Sequence, residues 1–184
     1  MSDLKEIKDS LKVLAGNKKL IILHCVTHYP APFEEANLKA IPTLEKELGG
    51  LIGFSDHTQG IEASIAAVAL GAKLIEKHFT LDRNMPGPDH KASLKPEELK
   101  NMVKAIRNIE QAMGNGKKVP SLSEKNIAKV ARKSIVSIRD IQRGQIITAN
   151  HIDIKRPGTG LSPKYYLEII GAKALKNIKV DTLL

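Results

Sequence analysis

Three short apolar segments of this chain each end in side chains that can bind a metal ion or move a proton. The first ends in His24-Cys25, the second runs into Ser55-Asp56-His57-Thr58, and the third ends in Glu76-Lys77-His78. In α/β barrels the carboxyl ends of the strands build the active site. Two imidazoles, His57 and His78, with carboxylates nearby suit a divalent ion that keeps positions open for water or substrate. The alternative is that both are ordinary hydrogen-bonded histidines at strand ends.

Alternation along the third segment decides which of its side chains can meet. Successive side chains of a strand point to opposite faces, so Glu76 and His78 share a face with Leu74, while Lys77 takes the other. If that face is the barrel interior, Glu76 and His78 converge on its mouth. His57, from the neighbouring strand, can join them there.

The segment that follows, Asp82 to His90, is a loop at the predicted barrel mouth. It is rich in turn-forming residues and carries ionisable side chains at Asp82, Arg83, Asp89 and His90. Loops in this position commonly bind substrate. On composition alone, a solvated connection is an equal alternative.

Helices and strands that alternate along the chain would position these residues. Apolar residues at helical spacing and short apolar runs predict seven elements in residues 1–114. The predicted helices span 2–15, 36–48, 60–70 and 96–113, and the predicted strands span 20–23, 51–54 and 73–79. The first helix has Ser2 as N-cap and Gly16 as stop, and Pro42 delays or kinks the second. Such alternation indicates a parallel sheet with right-handed crossovers. Three strands are few for an α/β domain, so we expect part of a larger one.

The rest of the chain has a different pattern of apolar residues and turn signals. Residues 115–131 are predicted as a linker and a short helix, which Ser121 and Glu124 open as a capping box. Beyond them, turn signals such as Arg143-Gly144 and Pro157-Gly158 separate short β-type runs. The runs lie at 134–138, 146–148, 152–154 and 172–180. Residues 132–184 are therefore predicted to form a compact, mostly β domain.

Composition narrows the functional classes. The net charge is +9, but the basic residues are spread over several predicted helices and only 3% of residues are aromatic. Nucleic-acid binding is therefore not expected, because base stacking requires aromatic side chains among the basic ones. A basic surface that attracts anionic substrates is the simpler interpretation. No apolar run approaches the roughly 20 residues of a membrane span, so no membrane association is expected.

The single cysteine also carries information. Cys25 cannot form an intramolecular disulfide, which fits a reducing compartment, and the cytoplasm is the expected location. Cys25 and His24 are adjacent on a predicted strand and point apart, so they do not form a thiolate–imidazole pair. We interpret Cys25 as a small packing residue.

Several ordered motifs make nearly the whole chain resemble the sialic acid synthase family. They are His24 to Pro32, Ser55 to Thr58, Ile75 to Thr80 and Arg83 to His90, with Lys155 to Gly160 and Ile170-Gly171 further on. The family comprises N-acetylneuraminate synthases and relatives that make legionaminic or pseudaminic acid. The resemblance implies an α/β fold in which residues 1–114 are the C-terminal portion of a (β/α)₈ TIM barrel. Residues 132–184 would be a small, mostly β antifreeze-like domain, also called a SAF or β-clip domain.

The resemblance also implies a metal-dependent transferase that forms a carbon–carbon bond. Family members condense phosphoenolpyruvate with an N-acylated hexosamine aldehyde, such as N-acetylmannosamine, and give a nonulosonic acid and phosphate. His57 and His78 match the ligands of a divalent ion, typically Mn²⁺, with Mg²⁺ or Co²⁺ as other candidates. The ion would polarise the sugar aldehyde as a Lewis acid. Glu76 and His78 are accordingly the predicted catalytic residues.

Further residues match the family's substrate contacts. Ser55 matches a phosphate contact, and Tyr29, Glu76 and Asp89 match groups that hold sugar hydroxyls. Arg156 matches an arginine of the antifreeze-like domain that reaches across a domain-swapped homodimer to the partner's sugar N-acyl group. A planar guanidinium suits that fixed hydrogen-bond geometry.

Three functional hypotheses follow. Family members are considerably longer than this chain, and the first half of their barrel supplies the general-base Glu and most phosphoenolpyruvate contacts. We therefore expect this chain to act as a synthase only with a matching N-terminal half. The second hypothesis is a non-catalytic module that binds a sugar or a partner and retains the antifreeze-like domain. The third is a different metal-dependent barrel aldolase, which would take pyruvate and release no phosphate.

Overall fold

The chain folds into two units. The computed structural model describes residues 1–14 and 19–184, so Gly16, the predicted stop of the first helix, lies outside the described residues. The units are Met1–Gly116 and Lys117–Leu184. Each has a hydrophobic core of its own. Across the described residues, no helix has both the length and the apolar character needed to span a bilayer.

The first unit is built on a parallel sheet with strand order β1-β2-β3. The strands are β1 (Ile21–Cys25), β2 (Leu51–Asp56) and β3 (Ile75–Lys77), and the helices are α1 (Leu4–Val13), α2 (Ala40–Leu48), α3 (Glu62–Ala69) and α4 (Pro96–Met113). The register pairs Cys25 with Ser55 and Ser55 with Glu76, so the carboxyl ends of all three strands lie at one edge. The alternating parallel strands and helices confirm the predicted α/β class.

Small and aliphatic side chains fill the core of this unit. The main buried cluster consists of Ile41, Leu44, Ile52, Phe54, Ala63, Ala67 and Ala72. A second cluster, Leu94, Met102 and Ile106, packs α4 against α3 and β3. Gly53 in β2 permits the strands to approach: a Cβ at this position would lie 2.5 Å from Leu23 Cδ2 and 2.6 Å from the Leu74 carbonyl oxygen. A side chain there would force the central strand away from both neighbours.

One helix start differs from the prediction, and another decides between two predicted alternatives. Asp3, not Ser2, is the N-cap of α1: its carboxylate accepts from the Glu6 amide at 2.8 Å, and the Glu6 carboxylate accepts from the Asp3 amide at 2.9 Å. A carboxylate is also favoured at the positive end of the helix dipole. The helix predicted over 36–48 begins late, at Ala40, which is one of the two alternatives that Pro42 predicted; Asn37, just before it, has a left-handed backbone conformation, φ 43°.

The second unit begins with α5 (Leu122–Ala131), which Ser121 and Glu124 open with the predicted capping box. Strands β4 (Ser134–Ser137) and β5 (Ile152–Lys155) pair antiparallel, and a one-turn helix, α6 (Tyr166–Ile169), follows. The core of the second unit consists of Ile135, Ile141, Ile147, Ile152, Ala174 and Ile178.

Two predicted strands of this unit, 146–148 and 172–180, were wrong. The two segments form one isolated bridge with each other, Ile146–Lys173, and Ile178 forms another with Ile141. Turns at Gly144 and Gly171, both with positive φ, redirect the chain before a longer ladder can form.

Candidate active site

Two imidazoles lie side by side at the carboxyl edge of the parallel sheet. His57 directly follows β2 and His78 directly follows β3. Their ring centroids are 5.2 Å apart and the rings meet edge to face. They lie together because the register places Asp56 opposite Lys77, so the next residue of each strand emerges at the same level. The structure therefore brings together the two predicted metal ligands, although a bound ion stays a prediction.

Tyr29, in the segment after β1, joins the imidazoles. Its ring centroid lies 4.1 Å from that of His78 and 5.1 Å from that of His57. The segment is held in place because the Ala31 amide donates to the His57 carbonyl at 2.8 Å. Burial raises the pKa of the Tyr29 hydroxyl, and the Asp89 carboxylate adds to this rise, while a hydrogen bond with Ser93 opposes it. The hydroxyl thus stays protonated, able to donate a hydrogen bond, well above neutral pH.

Asp89 enters the site from the loop after β3. Its Oδ2 lies 3.7 Å from Nδ1 of His78. The loop folds back on the strand, since the Leu94 amide donates to the His78 carbonyl at 2.9 Å. Ser93 Oγ donates to the Asp89 carbonyl at 2.6 Å and lies 3.3 Å from Tyr29 Oη, so one hydroxyl ties the loop to the tyrosine. These contacts hold Asp89 beside the imidazoles.

An ion pair anchors the same loop to helix α4. Arg83 Nη2 donates to both carboxylate oxygens of Glu98, at 2.7 and 2.9 Å, and Arg83 Nε donates to the Ser93 carbonyl at 3.1 Å. Glu98 also accepts from the Lys95 amide at 2.7 Å, which caps the first turn of α4. The loop that carries Asp89 is thereby fastened to a helix terminus.

Ser55 and Glu76 form a second pair on the same face of the sheet. They are register partners on β2 and β3, and Ser55 Oγ donates to Glu76 Oε1 at 2.6 Å. Ser55 is buried, whereas Glu76 is exposed. The structure thus places the predicted phosphate contact and a predicted sugar contact in direct hydrogen-bond contact.

The donor set available to a metal ion is small. Within residues 1–14 and 19–184, no three His, Cys, Asp or Glu side chains are grouped closely enough to hold an ion. An ion held by the imidazoles of His57 and His78 would therefore take its remaining ligands from water or substrate. The two imidazoles do not fit a closed structural zinc site, which needs four protein ligands. Cys25 Sγ lies 3.9 Å from both ring nitrogens of His57, so the thiol contacts the ring of a predicted ligand.

The remaining predicted residue, Arg156, belongs to the second unit. It is exposed, and its Nε donates to the Ala131 carbonyl at 3.1 Å. This bond ties the guanidinium to the end of α5. Its contact with the sugar of a partner subunit stays a prediction.

No role was predicted from the sequence for Ser93 or for the pair Asp56 and Lys77. Ser93 binds the Tyr29 hydroxyl from far along the chain, and only the fold brings the two together. Asp56 and Lys77 lie inside the recognised motifs and form a buried ion pair behind the imidazoles. Their position in those motifs was a signal, but the pairing depends on strand register, which a single sequence does not reveal.

Both parts of the chain match known protein families. Residues 1–118 match the NeuB family and residues 132–184 match the SAF domain. The N,N'-diacetyllegionaminic acid synthase of Campylobacter jejuni is 50% identical over 188 residues, which cover 100% of this chain and 56% of that protein. A pseudaminic acid synthase of Campylobacter jejuni is 42% identical over 164 residues, which cover 89% of this chain and 47% of that protein.

A solved structure shows the same likeness. The N-acetylneuraminic acid synthetase of Leptospira borgpetersenii, crystallised with citrate, matches with a TM-score of 0.63 and 40% identity over 69% of this chain and 45% of that one. The chain spans about half the length of the curated relatives it matches. The matches confirm the predicted resemblance and fold class, the C-terminal portion of a TIM barrel followed by an antifreeze-like domain. The chain therefore belongs to the NeuB family and carries a SAF domain.

Proposed function

We propose that this chain forms part of a nonulosonic acid synthase, which condenses phosphoenolpyruvate with an N-acylated amino sugar. The observation that carries the proposal is the convergence of Tyr29, His57, His78 and Asp89 at the carboxyl edge of the sheet. Relatives named as legionaminic and pseudaminic acid synthases support it.

The proposed reaction joins two substrates and consumes one water molecule. The C3 carbon of phosphoenolpyruvate forms a bond to the aldehyde carbon of the open-chain sugar, whose oxygen takes up a proton. Water adds to C2, and the bond from C2 to the phosphate oxygen breaks. The products are a 2-keto nonulosonic acid and inorganic phosphate. Release of phosphate thus distinguishes this reaction from a pyruvate aldolase.

His57 and His78 would hold the divalent ion, Mn²⁺ in the first place and Mg²⁺ or Co²⁺ as alternatives. When bound, the ion supplies Lewis-acid polarisation of the aldehyde oxygen. The chain's own residues orient the substrates around it. The neutral Tyr29 hydroxyl and the exposed carboxylates of Glu76 and Asp89 would bind sugar hydroxyls, and Ser55 would donate to the phosphate. Glu76 and His78 remain the proposed catalytic residues because both project from the end of β3 toward this edge.

The proposed role of Arg156 involves a second copy of the chain. We propose a homodimer in which the SAF domain of one subunit presents Arg156 to the sugar N-acyl group bound by the other. The exposure of Arg156 and the hydrogen bond that ties it to Ala131 support this role, since they leave a positioned guanidinium at the surface. A planar donor of this kind matches a carbonyl acceptor at fixed geometry.

The test combines this chain with the part of the Campylobacter jejuni legionaminic acid synthase that it does not match, co-expressed or fused. Phosphate release is measured with Mn²⁺, phosphoenolpyruvate and a panel of sugars that includes N-acetylmannosamine. His57→Ala and His78→Ala should each lower kcat by roughly 100-fold or more, because the Lewis acid contributes several kcal/mol to the transition state. His28→Ala is the matched control, because His28 is an exposed imidazole in the same segment as Tyr29.

Three results would count against the proposal. Activity that survives both imidazole replacements would remove the metal role. Turnover of pyruvate instead of phosphoenolpyruvate would indicate an aldolase. Saturable sugar binding by the chain alone, with no turnover by the combined protein, would favour the binding-module hypothesis.

A further inference from the structure

A buried ion pair lies directly behind the imidazoles. Lys77 Nζ is 3.0 Å from Asp56 Oδ2, and the two side chains are 3% and 0% exposed. Asp56 Oδ1 accepts from the amide and the hydroxyl of Thr58, both at 2.8 Å, and Asp56 Oδ2 accepts from Ser64 Oγ at 2.6 Å. Lys77 Nζ also donates to the Thr58 carbonyl. Both charges are thus enclosed by a complete set of polar partners.

The position of this pair is unusual for a parallel sheet. Ser55 and Glu76 occupy the face that carries the candidate site, so Asp56 and Lys77 occupy the opposite face, against Ser64 of α3. Helices cover that face, and it is normally apolar. Replacing a buried ion pair by well-packed apolar residues is often neutral or even stabilising, because two charges lose their hydration. A buried ion pair is therefore only a weak source of stability at this position.

The pair contacts the backbone from which the imidazoles project. Asp56 precedes His57 and Lys77 precedes His78, and the register places Asp56 and Lys77 opposite each other. The bond from the Thr58 amide to Asp56 closes a side-chain turn with His57 at its centre. Lys77 reaches the Thr58 carbonyl on the far side of that turn. The chain around His57 is thus fixed to the strand that carries His78.

We infer that Asp56 and Lys77 are positioning residues that set the separation and orientation of His57 and His78 for a shared divalent cation. This inference rests on the proposed metal-binding role of the two imidazoles. Groups behind a ligand shell commonly tune metal affinity because ligand positions must be held within fractions of an ångström. Ser64 and Thr58 extend the same network into α3 and the turn.

The experiment measures Mn²⁺ affinity and the visible absorption of bound Co²⁺ on the full chain. The double variant Asp56→Asn with Lys77→Met removes both charges with little change in volume. We expect it to fold with an unfolding midpoint near that of the wild type, while its Mn²⁺ affinity falls about 10- to 100-fold. The Co²⁺ band should shift, because the ligand geometry changes. Ala63→Gly is the matched control: it destabilises α3 from a buried position that lies outside the network, and it should leave affinity and spectrum unchanged.

A second variant keeps the inference testable if the double variant does not fold. Ser64→Ala removes one hydrogen bond to Asp56 and places a strong helix former in α3, so the fold should persist. We expect it to weaken Mn²⁺ binding severalfold, and unchanged affinity would then overturn the inference. A folded double variant with wild-type affinity and an unchanged Co²⁺ spectrum would also overturn it. A failure of the proposed function gives a different result: the wild-type chain binds no ion, or His57→Ala binds the ion as tightly as the wild type. In that case the inference is wrong as well.

Discussion

Replacing Glu98 by Gln removes one negative charge from the anchor of the loop that carries Asp89. The Glu98 carboxylate accepts from the Lys95 amide and from Arg83, and it lies in the first turn of α4. The carboxyl pKa of Glu98 lies below its ordinary value mainly because the carboxylate accepts a hydrogen bond from the Lys95 amide. Partial burial raises this pKa, and Arg83 lowers it further. Gln keeps an acceptor oxygen for the amide but loses the charge.

The expected cost follows from the exposure of the two partners. The side chains of Arg83 and Glu98 are 36% and 39% exposed, so water screens their attraction. An exposed ion pair contributes about 0.2–1 kcal/mol. A negative charge at a helix N-terminus contributes about 0.3–1 kcal/mol more. We therefore expect Glu98→Gln to lower the free energy of unfolding of the first unit by about 1 kcal/mol at pH 7.

The pH dependence identifies the source of this loss. A carboxyl group whose pKa is lowered in the folded state stabilises it above the unfolded pKa, about 4.3 for Glu. That contribution is lost as the pH falls through the lower, folded pKa. The advantage of the wild type over Glu98→Gln should therefore be complete at pH 7 and disappear in acid. Urea unfolding followed by circular dichroism measures it, and an NMR titration of the Lys95 amide reports the Glu98 pKa directly.

Glu97→Gln is the matched control. It makes the same charge change in the same helical turn, but Glu97 is 72% exposed and pairs with Lys100 at 3.5 Å. We expect a clearly smaller loss of stability. Equal losses in the two variants, or a Glu98 difference that persists unchanged in acid, would show that the contacts of the Glu98 carboxylate do not stabilise the first unit.

Three further predictions concern the site and the cores. Tyr29→Phe keeps the ring contacts but loses the hydroxyl proposed to bind the sugar, so we expect the sugar KM of the combined synthase to rise by about tenfold, the equivalent of one hydrogen bond. Loss of the bond to Ser93 should lower the free energy of unfolding by about 1 kcal/mol; an unchanged KM would exclude the sugar contact. Gly158→Ala places a Cβ 2.5 Å from Arg132 Cβ and should destabilise the second unit by about 1–3 kcal/mol in calorimetry. Leu94→Ala truncates a side chain that is 1% exposed and should cost about 2–5 kcal/mol of unfolding free energy; a loss below 1 kcal/mol would show that the loop does not depend on this packing.

The sequence predicted the layout of the site because strand ends are local features. Apolar runs that end in polar residues located β1, β2 and β3 within a few residues. The helix predicted over 96–113 has the same bounds as α4, since Pro96 suits the first turn of a helix. Alternation also predicted that Lys77 faces away from Glu76, and the structure confirms it.

The missed features depend on contacts between distant segments or on single backbone angles. The partner of Lys77 is Asp56, and only the register of β2 against β3 reveals it. The left-handed conformation of Asn37, just before α2, is a single backbone angle that the spacing of apolar residues does not encode. In the second unit, β-type composition at 146–148 predicted a strand where the fold makes a single bridge.

The short hydrogen bond between Ser55 and Glu76 affects the order in which the proposed ligands would bind at this edge of the sheet. A hydroxyl has one proton to give, and Ser55 gives it to the neighbouring carboxylate. An oxyanion that arrives at Ser55 must compete for that proton, and its success would leave Glu76 seeking another donor. The hydroxyls of a sugar are such donors, so occupation of one half of the pair would prepare the other half for its own ligand.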